Sequence, residues 1–168
     1  IQDINEDAVT SLLDKYDGTI TKNVSYKDVI DMIRDKNIVA LYQERCENGP
    51  RALGNRSLMF DATMKDGKDF VNLIKKREYF RPFAASVLQE DVHEWFDLRG
   101  MEDSPSMMYA VNCMPGVAEK IPAVIHVDGT CRIQTVTKEQ NEHWYNLINE
   151  FKSQTGVPAL FNTSFNLG

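Results

Sequence analysis

The sequence is poor in cysteine, proline and long apolar stretches, and each shortage excludes a class of protein. Its three cysteines, Cys46, Cys113 and Cys131, are too few and too scattered for a disulfide framework or a zinc site, and they fit a reducing cytoplasm. Six prolines and nine glycines in 168 residues argue against a fibrous or disordered chain. No apolar run approaches the roughly 18 residues of a membrane-spanning helix, so we expect no membrane partner.

Several motifs of well-known enzyme classes are absent as well. The chain contains no Walker A sequence, no GxGxxG and no GxSxG. Its three histidines, at positions 93, 126 and 143, lack HExxH or similar spacing. We therefore expect no metal site built by the protein itself.

The length and composition predict one globular domain. A chain of 168 residues with 42% hydrophobic residues supports a single core, so residues 1–168 are interpreted as one domain. The sequence begins at Ile1 without an initiator methionine and stops at Gly168 in what reads as a loop. We therefore expect a piece cut from a longer protein.

The charge is unevenly distributed along the chain. Residues 45–81 hold nine basic and five acidic residues, whereas the rest of the chain is strongly acidic and the net charge is -6. A basic segment in an acidic protein favours a small anionic ligand over a general nucleic-acid surface. A solvated helix face is the alternative.

Hydrophobic periodicity and turn residues predict an alternation of helices and strands without repeats. The predicted helices cover residues 8–16, 25–36, 69–76, 90–96 and 138–154, and the predicted strands cover 38–42, 58–60, 83–88, 107–113, 123–127, 131–136 and 158–161. Ser25 and Asp28 predict a capping box at the start of the second helix, and the strand at 38–42 is expected to be buried. The expected inward faces are Phe70, Leu73 and Ile74 in the third helix and Trp144, Leu147, Ile148 and Phe151 in the last helix. The predicted fold class is α/β (α+β), with a mixed twisted sheet flanked by helices.

Two clusters in the basic segment have the composition of an anion site. In residues 44–57, glycines allow close backbone approach while Arg51 and Arg56 offer planar forks for phosphate or carboxylate. The alternative is a turn whose arginines pair with its own glutamates. In residues 75–83, four cations (Lys75, Lys76, Arg77 and Arg81) repel one another unless an anion or solvent compensates them. A solvated helix end is the alternative there.

Two further clusters follow later strands. Asp128-Gly129 is a strong hairpin signal, which places Arg132 in mid-strand and His126 on the opposite face of a two-residue hairpin. A histidine among apolar neighbours is alternatively a core residue. After the final strand, Asn162, Thr163, Ser164 and Asn166 offer hydrogen bonds to phosphate or ribose oxygens, or cap a following helix.

Four ordered motifs together resemble the C-terminal domain of the O-carbamoyltransferases of the nodulation and antibiotic-biosynthesis type. They are Gly-Pro-Arg-Ala-Leu-Gly-Asn-Arg-Ser at 49–57, Arg-Glu-x-Phe-Arg-Pro-Phe-Ala at 77–84, His-Val-Asp-Gly-Thr-x-Arg-x-Gln-Thr-Val at 126–136 and Asn-Thr-Ser-Phe-Asn at 162–166. The resemblance runs from about residue 38 to the last residue. It implies the fold of the threonylcarbamoyl-adenylate synthases.

The resemblance also implies an activity and its partners. Proteins of that family use ATP, which carries Mg²⁺, and carbamoyl phosphate to make carbamoyl adenylate in the C-terminal domain. A separate N-terminal domain, which holds iron, passes the carbamoyl group to a hydroxyl acceptor. This chain would be the adenylate-forming half, with the acceptor domain outside it. Because the family continues after Gly168 with Gly-Glu-Pro, an inactive isolated fragment is an open alternative.

The same resemblance supplies candidate residues. It implies Arg132, Lys76 and Arg81 as catalytic cations and, as substrate-binding or nucleotide-binding residues, Arg51, Arg77, His126, Asn162, Ser164 and Asn166. It leaves open which of Lys75, Lys76 and Arg77 contacts the ligand. Two other functions compete with an enzyme: an RNA-binding module, which the acidic net charge disfavours, and an interaction domain that has lost catalysis.

Overall fold

The computed structural model describes residues 6–16 and 18–166. Within them, the strands are β1 (Val39–Tyr42), β2 (Arg56–Phe60), β3 (Ala84–Leu88), β4 (Phe96–Asp97), β5 (Ala110–Cys113), β6 (Thr130–Val136) and β7 (Ala159–Ser164). The α-helices are α1 (Glu6–Tyr16), α2 (Tyr26–Arg34), α3 (Gly67–Ile74), α4 (Val92–Trp95) and α5 (Glu142–Thr155), and short 3₁₀ helices cover Gln89–Asp91 and Pro122–Val124.

All seven strands form one mixed sheet in the order β1-β2-β7-β3-β6-β5-β4. Strands β3 and β6 run parallel, and every other neighbouring pair is antiparallel. Strand β7 lies between β2 and β3, so it joins an antiparallel hairpin to the rest of the sheet. The predicted class, a mixed sheet flanked by helices, is confirmed.

Helix α5 supplies much of the core on one face of the sheet. As predicted, its buried side chains are Trp144, Leu147, Ile148 and Phe151. Asn141 caps its N-terminus by accepting a hydrogen bond from the Trp144 N–H at 3.0 Å, so the helix begins four residues later than predicted.

Helix α2 begins with the capping box that the sequence indicated. The Asp28 N–H donates to Ser25 Oγ, and the Ser25 N–H donates to Asp28 Oδ2 at 2.9 Å. Its apolar stripe buries Ile30 and Ile33 completely.

The predicted strand at 123–127 is wrong. A 3₁₀ helix occupies Pro122–Val124, and the Ala123 N–H donates to Ala62 O instead of to a hairpin partner. The chain does turn at Asp128-Gly129, but His126 N–H pairs with Thr130 O around a three-residue turn. The two-residue register that placed His126 and Arg132 on opposite faces is therefore also wrong.

Two predicted apolar faces are wrong as well. In α3 the buried residues are Gly67, Val71 and Asn72, whereas Leu73 is 77% exposed. Strand β1 is an edge strand with alternating exposure rather than a buried strand.

In the part of the chain that the structure describes, no helix has the length and apolarity to cross a membrane.

Candidate functional site

A cavity of about 80 Å³ lies against the end of β7, the start of β3 and the middle of β6. Three arginines surround it, and we call it the arginine cavity. Its lining residues are Pro50, Arg51, Ala52, Arg77, Pro82, Phe83, Ala84, Met107, Arg132, Asn162, Thr163 and Ser164. They come from all four of the motif-bearing segments and from the residue Met107, which the sequence analysis did not single out.

The sheet register brings two of these residues together. Ala84 in β3 pairs with Arg132 of parallel β6 on one side and with Asn162 of antiparallel β7 on the other. Because side chains at paired positions share a face, the small side chain of Ala84 leaves space between the arginine and the asparagine. Residues 30 positions apart thereby line one cavity.

Arg51 reaches the cavity on the loop of residues 43–55, which Glu47 holds in shape. One oxygen of the Glu47 carboxylate accepts hydrogen bonds from the backbone N–H groups of Leu53, Asn55 and Arg56 at 2.7–3.1 Å. Burial pushes the pKa of Glu47 upward, but these N–H groups outweigh it and hold the pKa below its usual range. Glu47 therefore organises the loop and does not neutralise an arginine.

Arg56, the other arginine of this loop, also has a structural position. Its guanidinium donates to the carbonyl oxygens of Gln43, Glu44 and Asn55 and lies 3.5 Å from the centre of the Tyr42 ring. Its donors are therefore committed to the backbone. The alternative, a turn whose arginines pair with Glu44 and Glu47, is not what the described residues show.

Arg77 enters the cavity from the turn that ends α3. Lys76 adopts a left-handed conformation with φ 54°, and the Arg77 N–H donates to Asn72 O at 2.9 Å. The guanidinium of Arg77 lies 5.4 Å from the centre of the Phe83 ring, so an aromatic face supports it.

The cavity holds positive charge without a matching negative charge. The Nε atoms of Arg51, Arg77 and Arg132 are each buried without a hydrogen-bond partner, and among the described residues no carboxylate forms an ion pair with these three side chains. Burial, and then the charges of Arg51 and Arg77, lower the pKa of Arg132. Burial and then Arg81 lower the pKa of Arg77. Such an arrangement is suited to an anion that accepts several charge-assisted hydrogen bonds.

A chain of buried hydrogen bonds supports the cavity floor. The Trp144 Nε1–H donates to Gln134 Oε1 at 3.3 Å, and Ser86 Oγ donates to the same oxygen at 2.6 Å. Asn162 Nδ2 then donates to Ser86 Oγ at 2.9 Å and to Ala52 O at 3.0 Å. Ser86 is not among the predicted site residues, because its only signal in the sequence is its place in a predicted strand.

Lys75 is the buried member of the three consecutive basic residues. It is 1% exposed, and its Nζ donates to Ser164 O at 2.7 Å and to the backbone and side-chain oxygens of Asn166. Burial, and then the charge of Arg77, lower the pKa of Lys75 to about 8. Lys75 therefore fixes the segment after β7, whereas Arg77 lines the cavity and Lys76 is exposed.

Replacing Lys75 with methionine is expected to change how stability depends on pH. The pKa of Lys75 is about 8 in the folded protein and about 10.5 ordinarily, so between these pH values the unfolded chain binds more protons. The free energy of unfolding of the parent protein should therefore rise relative to that of Lys75→Met across this window and stay parallel below pH 8. Urea denaturation at several pH values measures the difference. Lys76→Met is the matched control, and a pH-independent difference for Lys75→Met would contradict the lowered pKa.

The structure does not bring every predicted residue to the cavity wall. Arg81 is exposed and forms an ion pair with Glu78 at 2.6 Å. His126 is not one of the residues that line the cavity, and its Nε2 donates to Phe83 O at 3.0 Å. Asn166 also lies outside it, although its Oδ1 accepts a hydrogen bond at 2.6 Å from Ser164 Oγ, and Ser164 does line the cavity. The roles of these residues stay predictions.

Metal ligands do not cluster in the described part of the chain. No group of three or more histidine, cysteine, aspartate or glutamate side chains there is placed to hold a metal ion.

Comparison with known proteins assigns the family. A family model described as the carbamoyltransferase C-terminus matches residues 30–168. Nodulation protein NolNO of Sinorhizobium fredii is 45% identical over 138 residues, which cover 81% of this chain and 20% of that protein. Nodulation protein NolO of Bradyrhizobium diazoefficiens is 43% identical over 138 residues (81% and 25%), and nodulation protein U of Rhizobium tropici is 37% identical over 143 residues (85% and 24%).

The chain spans a fifth to a quarter of the length of these relatives. The matched region contains all four motifs, the whole seven-stranded sheet and every residue that lines the arginine cavity. The resemblance inferred from the motifs is thus confirmed: the chain belongs to the carbamoyltransferase C-terminus family.

Proposed function

We propose that the arginine cavity binds the phosphate group of carbamoyl phosphate and that this domain joins the carbamate released from it to the AMP moiety of ATP, which gives carbamoyl adenylate. The observation that carries the proposal is the set of three guanidinium groups around one small cavity, each with a buried Nε that lacks a partner. A phosphate dianion would supply both the missing charge and the missing acceptors. Membership of the carbamoyltransferase family makes carbamoyl phosphate the acyl phosphate to test first.

The proposed chemistry has two steps. Water first cleaves carbamoyl phosphate to carbamate and inorganic phosphate. A carbamate oxygen then attacks the α-phosphorus of ATP, the bond from that phosphorus to the oxygen bridging to the β-phosphate breaks, and pyrophosphate leaves with the electron pair. The products are phosphate, pyrophosphate and carbamoyl adenylate. Fixed cations favour these steps because they offset the repulsion between two polyanions.

The residues of the cavity suggest separate tasks. Arg51, Arg77 and Arg132 would hold the phosphate of carbamoyl phosphate because they surround one small space. We assign Ser164 to the nucleotide phosphates because it lies at the cavity wall, next to the segment that Lys75 fixes. MgATP would enter with its cation already coordinated by the phosphates.

The later transfer to an acceptor is placed outside this chain. Since the chain corresponds to a fifth to a quarter of its relatives, most of the length of those proteins has no counterpart here. We assign the hydroxyl acceptor, and the iron that the family resemblance implies, to such a separate domain. In this proposal the domain described here delivers carbamoyl adenylate to it.

Exchange of labelled pyrophosphate into ATP tests the adenylate step. With carbamoyl phosphate and Mg²⁺ present, we expect this chain to catalyse exchange, and we expect Arg51→Gln to reduce the rate by about 10- to 100-fold because a charge-assisted hydrogen bond is lost. Calorimetric titration with inorganic phosphate measures the anion site separately. Arg45→Gln is the matched control, because Arg45 is exposed and lies outside the cavity lining.

The outcomes separate the competing functions. Phosphate binding without exchange would limit the proposal to the binding step and assign adenylate formation to a larger protein. The absence of both phosphate binding and exchange would overturn the proposal in favour of an interaction domain. RNA binding that weakens steeply with salt, without phosphate binding by the cavity arginines, would favour the RNA-binding module.

A further inference from the structure

Asn162 has a buried polar atom to which no residue in the described part of the chain donates a hydrogen bond. The side chain is 1% exposed and lines the arginine cavity, and its Oδ1 has no hydrogen-bond partner. Leaving a buried acceptor without a donor is unfavourable, so such an atom requires an explanation. Asn162 lines a cavity that three arginine side chains also line.

The chain of hydrogen bonds that supports the cavity determines the positions of the oxygen and the nitrogen of the Asn162 amide. The indole N–H of Trp144 can only donate, so it requires an oxygen of Gln134 opposite it. Gln134 Nε2 is thereby turned to Leu53 O, to which it donates at 3.0 Å. The hydroxyl of Ser86 donates to Gln134 Oε1, which leaves Ser86 Oγ as an acceptor.

Asn162 is the next side chain in this series of donors and acceptors. Its Nδ2 donates to Ser86 Oγ and to Ala52 O, and the second of these groups can only accept. Rotating the amide by half a turn would set an oxygen against the Ala52 carbonyl oxygen. Oδ1 is therefore the end of the Asn162 amide that lacks a partner. Its orientation is fixed by the hydrogen bonds that link the side chains of Trp144, Gln134, Ser86 and Asn162.

The chemistry of the site limits what can donate to this acceptor. The three guanidinium groups have no acceptor atoms to offer a ligand, so they select anionic oxygens. Oδ1 requires a hydrogen-bond donor on the same ligand, and a fully ionised phosphate has no N–H or O–H group to donate. Of the groups on carbamoyl phosphate, the amide –NH₂ is the donor, and it is attached through one carbonyl carbon and one oxygen to the phosphate.

We propose that Asn162 Oδ1 accepts a hydrogen bond from the carbamoyl –NH₂ and so distinguishes carbamoyl phosphate from acyl phosphates that carry a methyl group there. This inference rests on the proposed function, because it assumes that the arginines bind the phosphate. The inference adds a residue that recognises the uncharged carbamoyl end of carbamoyl phosphate. Asn162 is in this account a specificity-determining residue.

A pair of stable phosphonates tests the inference without changing the protein. Phosphonoacetamide and acetonylphosphonate share the phosphonate and the carbonyl group, and they differ in having –NH₂ or –CH₃ at the position in question. We expect the protein to bind phosphonoacetamide about 10- to 100-fold more tightly in calorimetric titrations, because the methyl compound leaves Oδ1 buried and unpaired. Equal affinities would overturn the inference while leaving the anion site in place.

Variants then assign the preference to the residue. Asn162→Leu is expected to bind the two phosphonates within about 2-fold of each other while retaining affinity for inorganic phosphate. Asn146→Leu, the same replacement on α5 outside the cavity lining, should keep the full preference. If Asn162→Leu does not fold, the ratio measured with the parent protein still decides between the outcomes.

The remaining outcomes separate the two proposals. If neither phosphonate nor phosphate binds the parent protein, the proposed function fails and this inference fails with it. If Asn162→Leu keeps the preference for phosphonoacetamide but loses affinity for MgATP, Oδ1 serves a nucleotide hydroxyl or amino group and the inference is overturned.

Discussion

Replacing Arg132 with methionine is expected to stabilise the ligand-free domain by roughly 0.5–2 kcal/mol while removing its response to phosphate. The guanidinium of Arg132 is partly buried near Arg51 and Arg77, and its Nε has no partner. Methionine keeps an unbranched apolar side chain but removes the charge, so like-charge repulsion and desolvation are both relieved. Urea denaturation with and without inorganic phosphate measures both effects.

The two effects have opposite signs, which makes the experiment decisive. The parent protein should gain about 2.7 kcal/mol at a phosphate concentration 100 times its dissociation constant, whereas Arg132→Met should gain almost nothing. Arg45→Met gives the reference for nonspecific stabilisation by the salt and for loss of one exposed charge, an effect within about 0.5 kcal/mol. Should Arg132→Met destabilise the ligand-free domain and still respond to phosphate, the cavity would not be an uncompensated anion site.

Replacing Gly54 with alanine is expected to destabilise the domain by about 2–5 kcal/mol and to abolish phosphate binding. An added Cβ would lie 2.5 Å from Cγ of Trp144, whose side chain is fully buried and cannot withdraw. Gly54 also has φ +107°, a conformation that L-residues rarely adopt. Because Gly54 lies three residues after Arg51, displacement of the loop would also move the guanidinium. Thermal denaturation and phosphate titration measure the two losses.

Gly49 provides the matched control in the same loop. Its φ of +147° is similarly unfavourable for alanine, but an added Cβ would meet no atom within 4 Å. Gly49→Ala should therefore cost about 1 kcal/mol through backbone strain alone. Equal losses for the two variants would show that the contact with Trp144 does not determine the position of the loop.

The parts of the fold that local sequence determines were predictable. The capping box at Ser25 involves two residues three positions apart, and the apolar stripe of α5 repeats with the helical period, so both follow from neighbouring residues. The inward face of α3 does not follow in this way. Asn72 and Lys75 are buried because carbonyl groups outside the helix accept their hydrogen bonds, that of Arg81 for Asn72 and that of the distant Ser164 for Lys75, while Leu73 is exposed.

The candidate site was predictable in its residue types but not in its geometry. The sequence indicated Arg51, Arg77 and Arg132 as anion ligands, yet Arg81 and Lys76 carry the same charge in the same segments. What separates them is the sheet register around Ala84 and the turn after α3, and both depend on contacts between segments far apart in the sequence. The three-residue turn at Asp128-Gly129 differs from these cases, because the hydrogen bond within it, from the Thr130 N–H to Asp128 Oδ1, is local.

The position of β7 determines when the seven-stranded sheet can be completed during synthesis of the chain. This strand is the last of the described strands to be translated, yet it lies between β2 and β3, which have no direct pairing with each other. Until β7 has left the ribosome, the β1–β2 hairpin and the β3–β6–β5–β4 group expose unpaired strand edges toward each other. A nascent chain that has formed both groups would therefore carry two incomplete half-sheets, and the unpaired edges of β2 and β3 are covered only when the strand that bears Asn162 inserts between them.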